Sequence, residues 1–157
     1  MRATVRLASV ISLLFAALAA PARAGVITYG VTSLGGDQWR YDYSVTNDSL
    51  AVPLTWITVY FALGDYEALG SVDPPVPPGW AAEVAQPDPL LPDNGFLDVT
   101  TTGAGIALGE TLGGFSIDFR WLGAGTPGRQ PFDFIERGPE VEPGIPELRV
   151  VQSGMTE

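Results

Sequence analysis

Carboxylates, hydroxyls, arginines and aromatic rings are the only groups through which this chain can do chemistry. Its 157 residues hold 8 basic side chains, all Arg, against 18 acids, with no Lys, His or Cys. That excludes imidazole bases and ligands, thiolate zinc sites, disulfides, Cys nucleophiles and Schiff-base lysines. Three candidate sites survive. The first is an acidic loop, where Asp88, Asp93, Asn94 and Asp98 surround Gly95. Calcium takes several oxygen ligands from such a flexible segment, although the spacing matches no EF-hand and Asp-Asn-Gly is also ordinary turn sequence. Calcium is the one cofactor the chain suggests.

The second candidate is aromatic. If Ile57, Val59, Phe61 and Leu63 fill a core, then Trp56, Thr58 and Tyr60 stand on the opposite face of the same strand. Two rings flanking a hydroxyl can stack on sugars, because aromatic faces give large contact area at little entropy cost. Trp80, after Pro77-Pro78-Gly79, reads as a loop anchor or a further ring of that site. The third candidate is a pair of carboxylates working as glycosidase acid and base. Glu67, Glu83, Glu110 and Glu136 are available, but nothing in the sequence pairs them, and Gly-x-Ser-x-Gly and Ser-x-x-Lys are absent.

These residues must be held by a secreted scaffold. Arg2 and Arg6 precede an apolar run from Leu7 to Ala20, Pro21 breaks it, and Ala22-Arg23-Ala24 offers the small residues that a signal peptidase reads. The run is shorter than the ~20 residues a bilayer span needs, so residues 1–24 read as a signal peptide cleaved before Gly25. Removing 24 of the 157 residues leaves 133, with five Arg against 18 acids and a formal charge of −13. Such a body repels phosphate backbones and anionic headgroups, which argues against nucleic acid or membrane-surface partners and for a monomer at neutral pH. Association is expected as the pH falls toward about 4, where carboxylates titrate.

Period two dominates the mature chain. Trp39, Tyr41, Tyr43 and Val45 alternate with Arg40, Asp42, Ser44 and Thr46; Phe115, Ile117, Phe119 and Trp121 alternate with Ser116, Asp118 and Arg120. Leu54 to Leu63 is β-branched and aromatic. Shorter strands are expected at 26–31, 80–85, 96–100, 105–108, 129–136 and 148–152, with Pro131 marking an edge or a strand start. No segment after residue 24 sustains a 3.6 period with caps, so no substantial helix is expected. The fold expected is all-β: one antiparallel β-sandwich domain, jelly-roll or Ig-like, over residues 25–157, with a closed β-barrel as alternative. The Pro-rich stretch from Pro74 to Pro92 reads as a long loop interrupted at Trp80. Residues 138–147, rich in Pro and Glu, read as an irregular acidic connector. Asn47-Asp48-Ser49 fits the N-glycosylation pattern but reads as a turn.

The order of these features resembles the extracellular domains of bacterial PEP-CTERM-type exported proteins. The resemblance rests on Trp39 through Asn47, on Gly79-Trp80, and on Phe115 through Gly128 leading to Gln130 and Phe132, and it covers most of residues 26–136. It implies a secreted or surface β-domain in an exopolysaccharide setting and supplies no catalytic residues. The sorting tail of that group is missing: after Ile145-Pro146-Glu147-Leu148, residues Arg149 to Glu157 are too short and polar for its hydrophobic helix, which favours free release. The first functional reading is therefore a non-catalytic secreted or cell-surface β-domain, structural or adhesive, with extracellular polysaccharide or surface proteins as partners. A carbohydrate-binding module, with or without calcium, is the alternative, and a carboxylate glycosidase the third.

Overall fold

The computed structural model describes residues 25–70 and 76–157; the signal-peptide reading and Pro74–Pro75 lie outside them. Nine strands and no helix form among these residues: β1 (Val26–Gly35), β2 (Gln38–Thr46), β3 (Trp56–Phe61), β4 (Tyr66–Glu67), β5 (Trp80–Ala85), β6 (Gly95–Thr101), β7 (Thr111–Trp121), β8 (Pro131–Glu142) and β9 (Ile145–Met155). They make two antiparallel sheets, of order β1-β2-β7-β4 and β5-β6-β3-β8-β9. The expected sandwich is what forms, rather than a single closed barrel.

Alternation decides which side of each strand is buried. Tyr41, Tyr43 and Val45 of β2 and Phe115, Ile117 and Phe119 of β7 point inward and are at most 2% exposed. From the other sheet come Ile57, Val59, Phe61, Leu97, Val99, Phe132 and Phe134. The rings interlock: Phe119 stacks on Tyr41 with centroids 4.6 Å apart, and Tyr66 lies 5.3 Å from Phe119. Three tyrosine hydroxyls enter this core, and each must find a partner there. Tyr41 donates to the Gly128 carbonyl at 2.7 Å, so Tyr66 donates to Tyr41 at 3.2 Å, and Tyr43 donates to Gln130 Oε1 at 3.2 Å. Burial pushes the Tyr41 and Tyr43 phenols far above their ordinary value, because the phenolate cannot be solvated there.

Three expectations need correction, and one short strand, β4, was not expected. Residues 138–147 are not an irregular connector: β8 and β9 run on as a hairpin that turns at Pro143-Gly144, where Gly144 takes φ +80° at no steric cost. Prolines and glutamates on a two-stranded ribbon tolerate exposure that a central strand would not. Residues 105–108 supply one isolated bridge, Leu54 to Ile106, instead of a strand. β4 has two residues, too few for any periodicity to show. Ser116, expected outside, is 6% exposed, because its short side chain lies beneath Asp42 and donates to it at 2.5 Å. Pro131 does begin β8, which lies between β3 and β9.

Asn47 explains itself once the fold is visible. It is fully buried, its amide N donates to the carbonyls of Leu50, Val52 and Ile106, and its Oδ1 accepts from the Leu50 N–H at 2.9 Å. The side chain closes the loop after β2, as the turn reading expected.

Candidate functional site

The five-stranded sheet has one face in the core and one outside, and its register sorts the outer residues into rows. Pairing sets Glu83, Asp98, Thr58, Asp133 and Ser153 side by side across all five strands. On one side of this polar row lie Ala81, Thr100 and Trp56; on the other lie Ala85, Phe96 and Tyr60. Strands sit about 4.8 Å apart, so the Asp98 and Asp133 backbones flank Thr58 at roughly 10 Å from each other.

Hydroxyls tie the acidic row together. Thr58 donates to Asp98 Oδ1, Tyr60 donates to Asp133 Oδ2 at 2.9 Å, and Ser153 donates to Asp133 Oδ1 at 2.5 Å. The Tyr60 phenol is pushed up to about 12, first by desolvation and then by its bond to the Asp133 carboxylate. Each carboxylate keeps lone pairs free, since an ionised carboxylate offers about four acceptor positions. The row is thus a line of acceptors between two apolar borders.

Trp56 carries Arg137 above its ring, guanidinium to centroid 5.1 Å, within cation–π range. Arg137 has no hydrogen-bonding or ion-pair partner among the described residues, and the Trp56 indole N–H is buried without an acceptor. Two shallow depressions mark this face. One, of about 250 Å³, is lined by Trp56, Ala81, Glu83, Asp98, Thr100 and Arg137. The other, of about 190 Å³, is lined by Thr58, Tyr60, Phe96, Asp98 and Ile135. A third hollow, of about 220 Å³, lies beside Gly25, Arg129 and Gln152, away from the aromatic rows, where Gln152 donates to the Gly25 carbonyl at 2.8 Å.

The residues expected to bind therefore divide. Trp56 and Tyr60 stand on the outer face, half-buried, as alternation requires. Thr58 is on that face but only 4% exposed; flanked by two carboxylates, its hydroxyl is spent on Asp98 and cannot face a ligand. Trp80 does not belong to the site. It points inward from β5 and meets Phe115 edge to face at 5.1 Å, because the register that puts Ala81 beside Thr100 turns residue 80 toward the core.

The calcium ligands are not brought together either. Asp88 and Asp93 pair through their backbones, and the Asp88 carboxylate accepts the Leu90 N–H at 2.7 Å in a local turn. Asn94 accepts the Leu63 N–H at 3.0 Å, while Asp98 stands on the outer face of β6. Among the described residues no group of three or more His, Cys, Asp or Glu is placed to hold a metal ion. Three of the four glutamates considered as catalysts are dispersed, Glu67 pairing with Arg120, Glu136 with Arg149 and Glu110 accepting the Ala107 N–H, whereas Glu83 stands beside Asp98 in the polar row. Sequence reasoning missed Phe96, Asp133 and Arg137. Asp133 was legible in principle, since Phe132 and Phe134 on either side must share the opposite face; Arg137 was not, because β8 was expected to stop at Glu136.

No family model and no curated protein matches this chain. Among solved structures it is similar to a GH20 exo β-N-acetylglucosaminidase from Vibrio harveyi in complex with N-acetylglucosamine, at TM-score 0.38 and 14% identity, covering 82% of this chain and 17% of that one. An inactive mutant of the same enzyme gives TM-score 0.40 and 12% identity, covering 86% and 18%. The chain spans less than a fifth of that enzyme's length, and the likeness is too distant to bear on activity. Among the described residues no helix is long and apolar enough to cross a membrane.

Proposed function

We propose that the protein is a non-catalytic extracellular β-domain that adheres to polysaccharide through the outer face of its five-stranded sheet. The observation that carries this is the row order: carboxylate acceptors Asp98 and Asp133 run between Trp56 on one side and Phe96 and Tyr60 on the other. Sugar rings present C–H faces to aromatics and hydroxyl edges to acceptors, so alternating apolar and acceptor rows match an extended saccharide laid on the sheet. The open, shallow surface supports binding more than catalysis, which needs a site that excludes water around paired groups. The exported, acidic character of the chain and its resemblance to PEP-CTERM-type proteins support an exopolysaccharide setting.

Immobilised glycans of varied linkage, probed with the exported chain, test the proposal. Retention on a defined subset is expected, reduced at least tenfold by Trp56→Ala, equivalent to about 1.4 kcal/mol, and unchanged by a calcium chelator. Uniform background on every glycan, or full retention by a folded Trp56→Ala protein, would overturn it.

A further inference from the structure

The second unexplained feature lies at the other end of the same sheet. β9 is an edge strand, and among the described residues no strand pairs with its outer side. Natural edges are usually short, or blunted by Lys, Pro or bulges turned outward. β9 runs eleven residues, from Ile145 to Met155, with a single Pro near its start and one bulge, at Val151, beyond the Glu147–Val150 stretch. Leu148 and Val150 are 50% and 51% exposed on it, beside Arg137 and Ile135, so they extend the outer face already described.

The chemistry of this edge is complementary to itself. Glu147 and Arg149 flank Leu148 and share the face opposite to it, where Arg149 already pairs with Glu136 across the hairpin. When two β9 strands run antiparallel with Leu148 against the partner's Leu148, Glu147 falls opposite the partner's Arg149, and the reverse holds by symmetry. Each guanidinium then lies between Glu136 of its own hairpin and the partner's Glu147. On the outer side the two Leu148 side chains meet, and each Val150 falls opposite the partner's Pro146. One patch therefore supplies paired backbone, paired charge and an apolar centre, as an isologous two-fold contact requires.

We propose that β9 is a homodimerisation edge that pairs with β9 of a second copy about Leu148. The net charge of the exported chain opposes this contact at long range, whereas the cross-strand pairs act at short range. Salt screens the first much more than the second, since the Debye length falls to about 8 Å at physiological ionic strength. The dimer is therefore favoured at neutral pH as salt is raised. A two-fold axis normal to the sheet leaves both outer faces on one side, giving two Trp56 surfaces in one continuous sheet and an avidity that one copy lacks.

Sedimentation of the exported chain at neutral pH across a salt series tests the proposal. Monomer in low salt and dimer in raised salt are expected. Glu147→Arg, which sets like charges across the edge and gives up only the attraction of Glu147 to Arg149 on its own strand, should weaken the dimer at least tenfold, and Leu148→Lys should abolish it, both with the monomer still folded. Because the chain has no Cys, Leu148→Cys should form a covalent dimer much faster than a control on an exposed loop, Leu90→Cys. A monomer throughout the salt series, an unaltered Glu147→Arg dimer, or equal cross-linking at 90 and 148 would each overturn it.

Discussion

Phe119 and Asp118 are chain neighbours on β7, and truncating each to Ala separates the two faces of the four-stranded sheet. Phe119 is fully buried, stacked on Tyr41 at 4.6 Å and within 5.3 Å of Tyr66 and 6.5 Å of Phe61. Phe119→Ala removes the transfer free energy of the ring and leaves a cavity among the Tyr41, Phe61 and Tyr66 rings. The expected loss is about 3–5 kcal/mol, with ring–ring geometry placing it toward the upper end. Asp118 instead accepts two hydrogen bonds from Arg40, at 2.5 and 2.8 Å, but the pair is solvated, with 40% and 34% of the two side chains exposed. Screened surface pairs contribute about 0–1 kcal/mol, so Asp118→Ala should cost well under 1 kcal/mol. Urea unfolding followed by tryptophan fluorescence, with a common slope for all three proteins, measures both values. A domain of this size loses about 3–5 °C of melting temperature per kcal/mol, so the first variant should melt about 10–20 °C lower and the second within a few degrees. Equal losses would refute the assignment of the two faces.

Asn47→Ala should cost about 1–3 kcal/mol, because the Leu50 N–H and the Leu50 and Val52 carbonyls lose their partner while the Ile106 carbonyl keeps only the Leu54 N–H; thermal melts check this, and a loss within about 0.5 kcal/mol would show the loop closes without it. Tyr60, with its folded value raised to about 12, contributes stability that is complete below the unfolded value near 10 and is lost as the pH rises through 12. Alkaline melts should therefore decline in that window, less steeply for Tyr60→Phe. Tyr41 and Tyr43, held far above the ordinary range by burial, should ionise only when the fold opens, so ultraviolet phenolate absorbance should show a component that appears cooperatively with unfolding.

The alternating strands around Tyr41, Val59 and Phe119 were legible in the sequence, because a half-buried strand must repeat its apolar side chains every second residue, and that is a property of the chain alone. The absence of His, Lys and Cys likewise settled which chemistries were excluded before any fold was known. What period two cannot say is which strand lies beside which, or how far a strand continues once it leaves the core. Trp56 and Trp80 look equivalent in sequence, yet the pairing of Ala81 with Thr100 sends one ring outward and the other onto Phe115. Asp98 and Asp133 are far apart along the chain and meet only because β6 and β8 both flank β3. Residues 138–147 lack an apolar alternation because, as a ribbon running past the sandwich, they have no core to face, and only the hairpin partner across them makes them strands. Burial writes its period into the sequence; register, which depends on hydrogen bonds between distant backbones common to every residue type, leaves no such mark, and it is register that assembles the outer face.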